Sequence, residues 1–599
     1  MTAENNETAK NLLNLGVGEG SKVEQIKANS HYLRGEIAEE LQNDSSHVSE
    51  AQIQLLKFHG TYQQEDRDQR QARKSAGQEK AYQFMVRSRI PGGALTAEQY
   101  LIHDEIATKY GSGTLRITTR QSFQLHGILK GNLRNTIHDI NESLLSTLSA
   151  CGDVNRNVLA CPAPTSDRAH AQVQEIAHQI AMRLAPRSKA YYELWIDGEK
   201  VQTIEDPEEV EPLYGATYLP RKFKVAVAFP GDNCIDVYTN DVGLVANMDG
   251  ETLTGFTVAI GGGMGATHGK PETHPLLAQP FCNVTVEQVL PVVETIVSVQ
   301  RDYGDRQNRK HARMKYVVEE RGIQWFRNEV EQRLGYTLAD AQPVEFHDCE
   351  DHLGWHSQGD GRWFVGLSIE NGRIHDSERR QLKTGLHQVI EQFRPGIRLT
   401  TQQDMLLIDI AAEQRPAIEA ALQEYGISTN PKDAGAYRFA MACPALPTCG
   451  LAVAEAERVL PDIVRQIEAD MYEIGLGGEP LGIRMTGCPN GCARPYVGDI
   501  GFVGRSKGLY NVSVGGDRLN TRLNAVYAQS VRIENLAATI KPLLILWRDE
   551  RLDQESFGDY CHRVGFAYLQ AKTVQSETMA SDQAKTTHDE SITTGQSQD

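Results

Sequence analysis

The 599-residue sequence carries a formal net charge of -18, and 40% of its residues are hydrophobic. This length exceeds what a single hydrophobic core organises, so we expect several domains. The acidic balance argues against a nucleic-acid-binding protein, because such proteins present a basic surface to phosphates. The chain begins without a basic stretch followed by an apolar run, and no uncharged apolar stretch approaches membrane-spanning length. We therefore expect a cytoplasmic protein that does not contact a membrane.

In chain order, residues 1–75 are expected to be a flexible or partner-docking segment, because the first 20 residues are polar and unpatterned. The mixed-charge stretch 63–80 predicts a solvated helix or a linker. Hydrophobic patterning predicts strands at 225–229 and 256–260 and a helix at 286–296. Residues after about 571 are again polar and are expected to form a disordered tail. Mixed elements in this order favour an α+β fold.

An internal repeat joins two parts of the chain. Leu115–His126 (LRITTRQSFQLH) resembles Ile397–Ile408 (IRLTTQQDMLLI), 282 positions later, and at the same shift the string ACPA occurs at Ala160 and at Ala442. Two separate matches at one shift predict a duplication, with two related halves about a pseudo-twofold axis and a ligand near that axis. The first copy keeps Arg120 and His126, so we expect the basic chemistry mainly in the first half.

Four of the ten cysteines form two close pairs, Cys443 with Cys449 and Cys488 with Cys492. Such a set can hold one metal centre. Zinc sites usually space their ligands by two to four residues on a knuckle turn, whereas the first pair here encloses five residues, two of them proline. Four cysteines also suit an iron–sulfur cluster. The other six are expected to be buried or incidental thiols, although the repeat sets one of them opposite Cys443: Cys151, Cys161, Cys234, Cys282, Cys349 and Cys561.

These cysteine motifs resemble those of the siroheme-dependent sulfite and nitrite reductases, and further matches extend the resemblance over about residues 57–565. The matching segments are Lys57–Gln64 (KFHGTYQQ), Met85–Gly93 (MVRSRIPGG), Asn155–Asn157 (NRN), Tyr218–Lys224 (YLPRKFK) and Thr486–Cys492 (TGCPNGC).

The resemblance implies a pseudo-twofold duplicated α+β fold, with ferredoxin-like half-domains and siroheme at the domain interface. After the N-terminal segment 1–75 we expect a first ferredoxin-like half-domain at 76–148 and a first siroheme-binding domain at 149–345. The second half repeats this plan, with a half-domain at 346–430, a siroheme and [4Fe-4S] domain at 431–570, and the tail at 571–599.

The resemblance also implies two cofactors, a [4Fe-4S] cluster and a siroheme. The cluster ligands would be Cys443, Cys449, Cys488 and Cys492. Cys492 would also be the axial ligand of the siroheme iron, with Asn490 beside the cofactor. Four cations would face the substrate on the open side of the siroheme: Arg87, Arg156, Lys222 and Lys224. Three arginines would pair with siroheme carboxylates, a task that suits the bidentate guanidinium: Arg116, Arg120 and Arg221. His126 could lie beside the cofactor or be a hydrogen-bonded core histidine.

The glycine-rich stretch Gly261–Gly265 (GGGMG) does not have the spacing of a dinucleotide-binding motif, and no P-loop lysine follows it. It is expected to form either a tight turn or a close approach of backbone to the siroheme. Because no nucleotide or flavin fingerprint is evident, the chain is not expected to take electrons from NADPH unaided.

The resemblance implies an oxidoreductase of sulfate assimilation, a sulfite reductase catalytic subunit that reduces sulfite to hydrogen sulfide by six electrons for cysteine biosynthesis. Its NADPH-type branch implies a hetero-oligomer with a separate flavoprotein (alpha) subunit as electron donor. Two alternatives remain at this point. One is a ferredoxin-dependent sulfite or nitrite reductase. The other, from a different class, is a non-catalytic iron–sulfur or zinc-binding protein.

Overall fold

The computed structural model describes residues 20–187, 195–196, 199–200 and 211–573. The chain divides into two compact units: unit 1 comprises residues up to Ala434 together with Pro444–Ala452, and unit 2 comprises Gly435–Cys443 and the residues from Val453 onwards. Apart from residues 20 and 571–573, the two predicted disordered tails lie outside the described residues.

Unit 1 contains most of the strands and helices. Its strands are β1 (Thr61–Glu65), β2 (Tyr82–Arg87), β3 (Ala94–Leu95), β4 (Leu115–Ile117), β5 (Phe123–Ile128), β6 (Leu159–Ala160), β7 (Trp195–Ile196), β8 (Glu199–Lys200), β9 (Val225–Ala228), β10 (Gly231–Asp232), β11 (Val242–Asp249), β12 (Thr252–Ile260), β13 (Gln279–Thr285), β14 (Phe346–Asp348), β15 (Gly354–Ser357), β16 (Arg362–Leu367), β17 (Arg373–Ile374), β18 (Gly396–Leu399) and β19 (Met405–Ala411). Its helices are α1 (Lys22–Ala28), α2 (Ile37–Gln42), α3 (Glu50–Leu56), α4 (Arg70–Ser75), α5 (Ala97–Tyr110), α6 (Leu133–Glu142), α7 (Arg168–Arg183), α8 (Val289–Tyr303), α9 (Met314–Arg321), α10 (Ile323–Leu334), α11 (Leu382–Phe393) and α12 (Arg415–Glu424).

Unit 2 contains one five-stranded sheet, and its helices lie between the strands or after them in sequence. Its strands are β20 (Met441–Ala442), β21 (Ile483–Thr486), β22 (Ile500–Ser506), β23 (Leu509–Val514) and β24 (Ala525–Arg532). Its helices are α13 (Leu460–Glu473), α14 (Leu536–Glu550) and α15 (Phe557–Val564).

Two five-stranded sheets of unit 1 exchange one short strand with each other. Their strand orders are β1-β2-β5-β4-β17 and β15-β16-β19-β18-β3. β17 follows β16 in sequence yet pairs with β4, where Arg373 lies opposite Arg116, and β3 pairs with β18, where Leu95 lies opposite Ile397. Since β4 and β18 are the equivalent strands of the internal repeat, this reciprocal exchange confirms the predicted duplicated α+β fold.

The exchange depends on two turns that come close to the backbone of the other half. Gly93 and Gly372 both have a φ of +71°, and a Cβ atom would lie 2.4 Å from the carbonyl oxygen of Leu399 on Gly93 and 2.3 Å from that of Ile117 on Gly372. The same two carbonyls accept hydrogen bonds from the buried side-chain amides of Gln121 and Gln403, respectively. The turn at Gly93 in the first half therefore packs against β18 of the second half, and the turn at Gly372 in the second half packs against β4 of the first half.

Replacing Gly93 by alanine should lower the stability of unit 1 by about 2–4 kcal/mol, because it adds a steric clash to the cost of a left-handed alanine. The matched control is Gly269→Ala, since Gly269 has a φ of +69° and a Cβ on it would have no atom of the described residues within 4 Å. That control should cost only about 1–2 kcal/mol. Urea unfolding of both variants measures the difference, and equal losses would contradict a close approach at Gly93.

The remaining large sheets of the two units share one topology. The sheet of unit 1 has the order β13-β12-β11-β9-β6, and that of unit 2 has the order β20-β21-β22-β23-β24. In each, the first three strands in sequence are parallel neighbours and the last two are antiparallel. Cys161 directly follows β6 and Cys443 directly follows β20, so these two cysteines occupy equivalent positions. The predicted strands at 225–229 and 256–260 and the helix at 286–296 are found as β9, β12 and α8.

For residues 20–75, the structure corrects the flexible alternative of the predicted flexible or partner-docking segment. β1 is the edge strand of the first sheet, pairing with β2 from Thr61 to Glu65. Lys27 is fully buried, where its Nζ lies 2.5 Å from Glu24 Oε1 and donates to the carbonyl of Leu219 at 2.8 Å. The described part of this segment, 20–75, is thus packed into unit 1. The mixed-charge stretch 63–80 holds the end of β1 and the exposed helix α4, and partner docking by this region stays a prediction.

Candidate active site

Five basic side chains of unit 1 gather around the turn Cys151–Asp153, and we call them the cation cluster. Arg87 Nη1 donates to the sulfur of Cys151 at 3.2 Å, and Arg156 donates to the carbonyl of Gly152 through Nε at 3.3 Å and Nη2 at 3.2 Å. Asp153 accepts from Arg309 at 2.6 and 2.9 Å and lies 3.8 Å from Arg221. The cluster comprises Lys57, Arg87, Arg156, Arg221 and Arg309.

These cations are crowded closely enough to perturb one another. Burial, and after it the neighbouring Arg309 charge, lowers the pKa of Lys57 to about 8 and that of Arg221 to about 10. Both shifts run against the charged form, and burial is their larger cause, whereas the charge of Asp153 contributes to raising the pKa values of Arg156 and Arg309. An anion in this place would relieve the repulsion, and the cluster is therefore suited to bind an anionic substrate or the carboxylates of a cofactor.

Asp153 is the internal counter-charge of the cluster. Burial raises its pKa, but the charges of Arg309, Lys27 and Arg221 outweigh burial and hold the pKa well below the ordinary value. A carboxyl group with a depressed native pKa stabilises the fold at pH values above its unfolded pKa of about 3.9 and loses that contribution as the pH falls below it.

Asp153→Asn should therefore destabilise unit 1 by about 2–4 kcal/mol at neutral pH, because the buried cations lose their partner. The deficit relative to the unsubstituted chain should shrink when unfolding is measured below about pH 4, where Asp153 of the unfolded chain begins to bind a proton while the folded carboxylate stays ionised. Glu50→Gln, which removes the exposed ion pair with Lys22, is the control and should cost less than about 1 kcal/mol. A deficit for Asp153→Asn that is independent of pH would contradict the assignment.

Two motifs predicted to face the substrate run side by side in the structure. The Phe223 amide donates to the carbonyl of Val154, and the Arg156 amide donates to the carbonyl of Phe223, both at 3.0 Å. Phe223 is fully buried, and Lys222 and Lys224 on either side of it are half-buried. Because side chains alternate along an extended chain, the two lysines share the face opposite Phe223.

Two of the three arginines predicted to hold siroheme carboxylates, Arg116 and Arg120, lie on or near β4 and β5, as does His126. Arg120 donates to the side-chain oxygen of Asn240 at 2.8 Å, to the carbonyl of Val225 at 3.2 Å and to the carbonyl of Asn157. These three acceptors are neutral, and they orient the guanidinium. Arg116 and His126 are buried on β4 and β5, and Arg221 belongs to the cation cluster.

Three of the four paired cysteines lie in unit 2: Cys443 and Cys488 follow the adjacent strands β20 and β21, and Cys492 lies further along the loop after β21. Cys443 follows β20, and its sulfur accepts a hydrogen bond from the Gly487 amide at 3.4 Å; the Asn490 side chain donates to the sulfur of Cys488 at 3.5 Å. Donors of this kind stabilise thiolates and tune iron–sulfur centres. Cys443 and Cys488 are buried, whereas Cys492 is exposed.

Cys449 belongs to the segment Pro444–Ala452, which groups with unit 1. Its amide donates to the carbonyl of Ala445 at 2.8 Å. Arg67 anchors the segment by donating to the carbonyl of Cys449 at 3.2 Å and to that of Ala452 at 2.7 Å.

Three functional candidates in unit 1 were not predicted from the sequence, although the basic run RKHARMK at 309–315 was a signal for two of them. Arg309 joins the cation cluster, as does Lys57 from a motif noted only for its resemblance. Lys315 donates to the carbonyls of Gly263 at 3.0 Å and Gly265 at 2.8 Å, and also to that of His274. Burial, and then the charge of Arg313, lowers the pKa of Lys315 to about 7. The glycine-rich stretch is therefore held by a buried lysine.

Known protein families share this arrangement of domains. The sequence profile of the nitrite and sulphite reductase 4Fe-4S domain matches residues 175–338 and 435–580, and that of the nitrite/sulfite reductase ferredoxin-like half domain matches residues 76–143 and 356–425. The chain belongs to the nitrite and sulfite reductase family. It is accordingly an oxidoreductase, and the duplicated arrangement of half-domains predicted from the internal repeat is confirmed.

Relatives of the family align over nearly the whole chain. A sulfite reductase [NADPH] hemoprotein beta-component of Staphylococcus saprophyticus is 46% identical over 91% of this chain and 95% of its own length. A sulfite reductase [ferredoxin] of Synechococcus elongatus is 47% identical over 92% of this chain and 90% of its own length. The solved structure of the Mycobacterium tuberculosis NirA protein has a TM-score of 0.73 and 24% identity, covers 93% of this chain and 98% of its own, and shares the fold.

The predicted cofactors, siroheme and a [4Fe-4S] cluster, are confirmed for this family. Within the described ranges, no helix combines the length and apolar character needed to cross a membrane.

Proposed function

We propose that the chain is the catalytic hemoprotein of an assimilatory sulfite reductase and reduces sulfite to hydrogen sulfide by six electrons. The observation that carries this proposal is the cation cluster of unit 1, in which four arginines and one lysine gather around Cys151–Asp153 with Asp153 as their carboxylate partner. Sulfite reductases of both the NADPH and the ferredoxin type among the relatives support sulfite as the anion that this cluster binds.

The residues present fit the family cofactors. The proposed cluster ligands are the thiolates that sequence spacing singled out, two of which receive N–H donors. Exposed Cys492 would be shared by the cluster and the siroheme, and the bound cofactors would supply the redox chemistry of sulfite reduction. The proposed cluster ligands are Cys443, Cys449, Cys488 and Cys492, and the proposed siroheme contacts are Arg116, Arg120, His126, Arg221 and Asn490.

The chain's own side chains supply charge and protons. We assign four cations to binding the anion: Arg87, Arg156, Lys222 and Lys224. A dense set of cations stabilises a small, multiply charged substrate when it is bound. Cleavage of sulfur–oxygen bonds consumes protons, which the lysine ammonium groups can donate. The pKa of Lys57 is lowered to about 8, which is closer to neutral pH than that of an ordinary lysine, so Lys57 is also suited to donate a proton.

Electrons are proposed to come from NADPH through a separate flavoprotein (alpha) subunit in a hetero-oligomer, in the cytoplasm, for cysteine biosynthesis. Support comes from the NADPH-type names of several relatives and from the absence of a nucleotide motif in the sequence. The ferredoxin-type relative, which is equally similar, keeps ferredoxin as the alternative donor.

The test uses the purified chain loaded with its cofactors, and measures sulfide release. NADPH alone should give no turnover, whereas reduced methyl viologen, or NADPH with a sulfite reductase flavoprotein, should give sulfide. Sulfide formed from NADPH by the isolated chain would contradict the donor assignment. Ammonia from nitrite at a higher kcat/KM than sulfide from sulfite would replace sulfite by nitrite as the substrate.

A further inference from the structure

A second group of potential metal ligands lies in unit 1, among residues that the proposed function does not use. Cys161, Asp232, Cys234 and His352 each offer one ligand atom, and these four atoms all lie within 4.8 Å of one another. The two sulfurs are 3.6 Å apart, Cys161 Sγ is 3.9 Å from Asp232 Oδ2, and that oxygen is 3.6 Å from His352 Nε2.

These separations are close to those of a tetrahedral zinc site. Two sulfurs that are each about 2.3 Å from a zinc ion lie about 3.8 Å apart, and a carboxylate oxygen and a histidine nitrogen at about 2.0 Å lie about 3.3 Å apart. The observed distances fall within a few tenths of an ångström of these values. They are too long for a sulfur–sulfur bond, and both cysteines are free thiols.

The local structure directs the ligand atoms inward. Asp232 Oδ1 accepts from the amides of Cys234 at 2.9 Å and Glu350 at 3.1 Å, so that Oδ2 is turned toward the group. Such outer bonds to a carboxylate are typical of metal ligands. Nε2 of His352 is buried and makes no hydrogen bond within the described part of the chain. A metal ion would satisfy this nitrogen.

The backbone at His352 is held in an uncommon conformation. Its φ is +58°, and its carbonyl packs so closely against Gly366 that a Cβ on that glycine would lie 1.9 Å away. A non-glycine residue in the left-handed region carries a conformational cost and is often found at functional sites. His352 lies shortly after β14, which pairs with β10, where Asp232 is opposite Asp348.

The internal duplication gives an independent reason to expect a metal. Cys161 follows β6 as Cys443, a proposed cluster ligand, follows β20, so equivalent positions of the two halves carry a thiol. The other three ligands come from segments that have no matching cysteine motif in the second half.

We propose that Cys161, Asp232, Cys234 and His352 bind one zinc ion in a closed, structural site. Two thiolates, one imidazole and one carboxylate form a ligand set that zinc accepts in tetrahedral geometry, and four protein ligands leave no position for substrate. The ion would tie together three segments of unit 1 that are distant in sequence: the end of β6, the β10 region and the residues after β14. This role is separate from sulfite reduction.

The test uses the full-length holoprotein, purified without chelators or a metal-affinity column and dialysed against micromolar zinc chloride followed by metal-free buffer. Elemental analysis should give about one zinc per chain in addition to the cofactor iron. Zinc K-edge absorption should show two sulfur neighbours at about 2.3 Å and two nitrogen or oxygen neighbours at about 2.0 Å. The absorption measurement needs no variant and so does not depend on a variant folding.

Cys234→Ser and His352→Ala should each lose most of the zinc while keeping cofactor iron and siroheme absorption. Cys282→Ala, which removes a buried thiol elsewhere in unit 1, should keep its zinc. Zinc below about a tenth of an ion per chain, a zinc shell without sulfur, full zinc in both ligand variants, or a Cys161–Cys234 disulfide in peptide mapping would each overturn the proposal. Iron content and sulfite turnover are read separately, so failure here is distinct from failure of the proposed function.

Discussion

Replacing Cys492 by serine should lower sulfite turnover by more than about 100-fold, because changing even an outer partner of a metal ligand costs about 10- to 100-fold. The proposed role of Cys492 is double, as a ligand of the cluster and of the siroheme iron. A serine oxygen is a poor substitute for a thiolate at both metals. One substitution should therefore disturb two centres that give separate spectroscopic signals.

The measurements are siroheme absorption, iron and acid-labile sulfide per chain, and sulfide production with reduced methyl viologen. Cys561→Ala is a matched control from the same unit, since Cys561 is a fully buried free thiol on α15, and it should leave all four readouts unchanged. A Cys492→Ser protein with unaltered siroheme absorption and full activity would remove Cys492 from the site.

Lys224→Asn should shift the enzyme's preference from sulfite toward nitrite. A cation about 4 Å from a unit charge contributes about 4 kcal/mol at an effective dielectric near 20, before solvent screening reduces it. Sulfite can carry two negative charges and nitrite carries one, so the loss of the lysine weighs about twice as heavily on sulfite. We expect kcat/KM to fall about 100-fold for sulfite and about 10-fold for nitrite.

Steady-state kinetics with both anions and one artificial donor measures this ratio. Lys270→Asn, which removes a half-exposed lysine in the loop after the glycine-rich stretch, is the control and should change neither value. Equal losses for both anions would make Lys224 a general electrostatic or proton-donating group. Unchanged kinetics would exclude it from the anion site.

Local sequence patterns predicted the features of this protein that depend on spacing within one segment. The repeat beginning at Leu115 and Ile397 predicted the duplication, because both copies form the same strand–turn–strand unit. The cysteine spacing singled out the thiols to whose sulfurs the Gly487 amide and the Asn490 side chain donate. Each of these patterns lies within a short segment, so it can be recognised from the sequence alone.

Features assembled from distant segments could not be predicted in this way. The segment before residue 76 looked flexible because its composition is polar, yet β1 is stabilised by a ladder to β2 and Lys27 by buried partners. The four proposed zinc ligands lie in three separate segments, so no spacing rule relates Cys161 to His352. The role of Asp153 could not be predicted either, because its charged partners in the fold are distant from it in sequence: Lys27, Arg221 and Arg309.

The reciprocal exchange of β3 and β17 has a consequence for how the protein is made. β4 is synthesised well before its edge partner β17, which begins at Arg373 and pairs with Arg116. At a translation rate of about 5–20 residues per second, roughly 260 intervening residues take about 10–50 seconds to emerge. During that interval the nascent first half has an unpaired sheet edge, which is an aggregation hazard that chaperones shield. The first half cannot complete its sheet as a separate translation product, and its final folding step must await the second half.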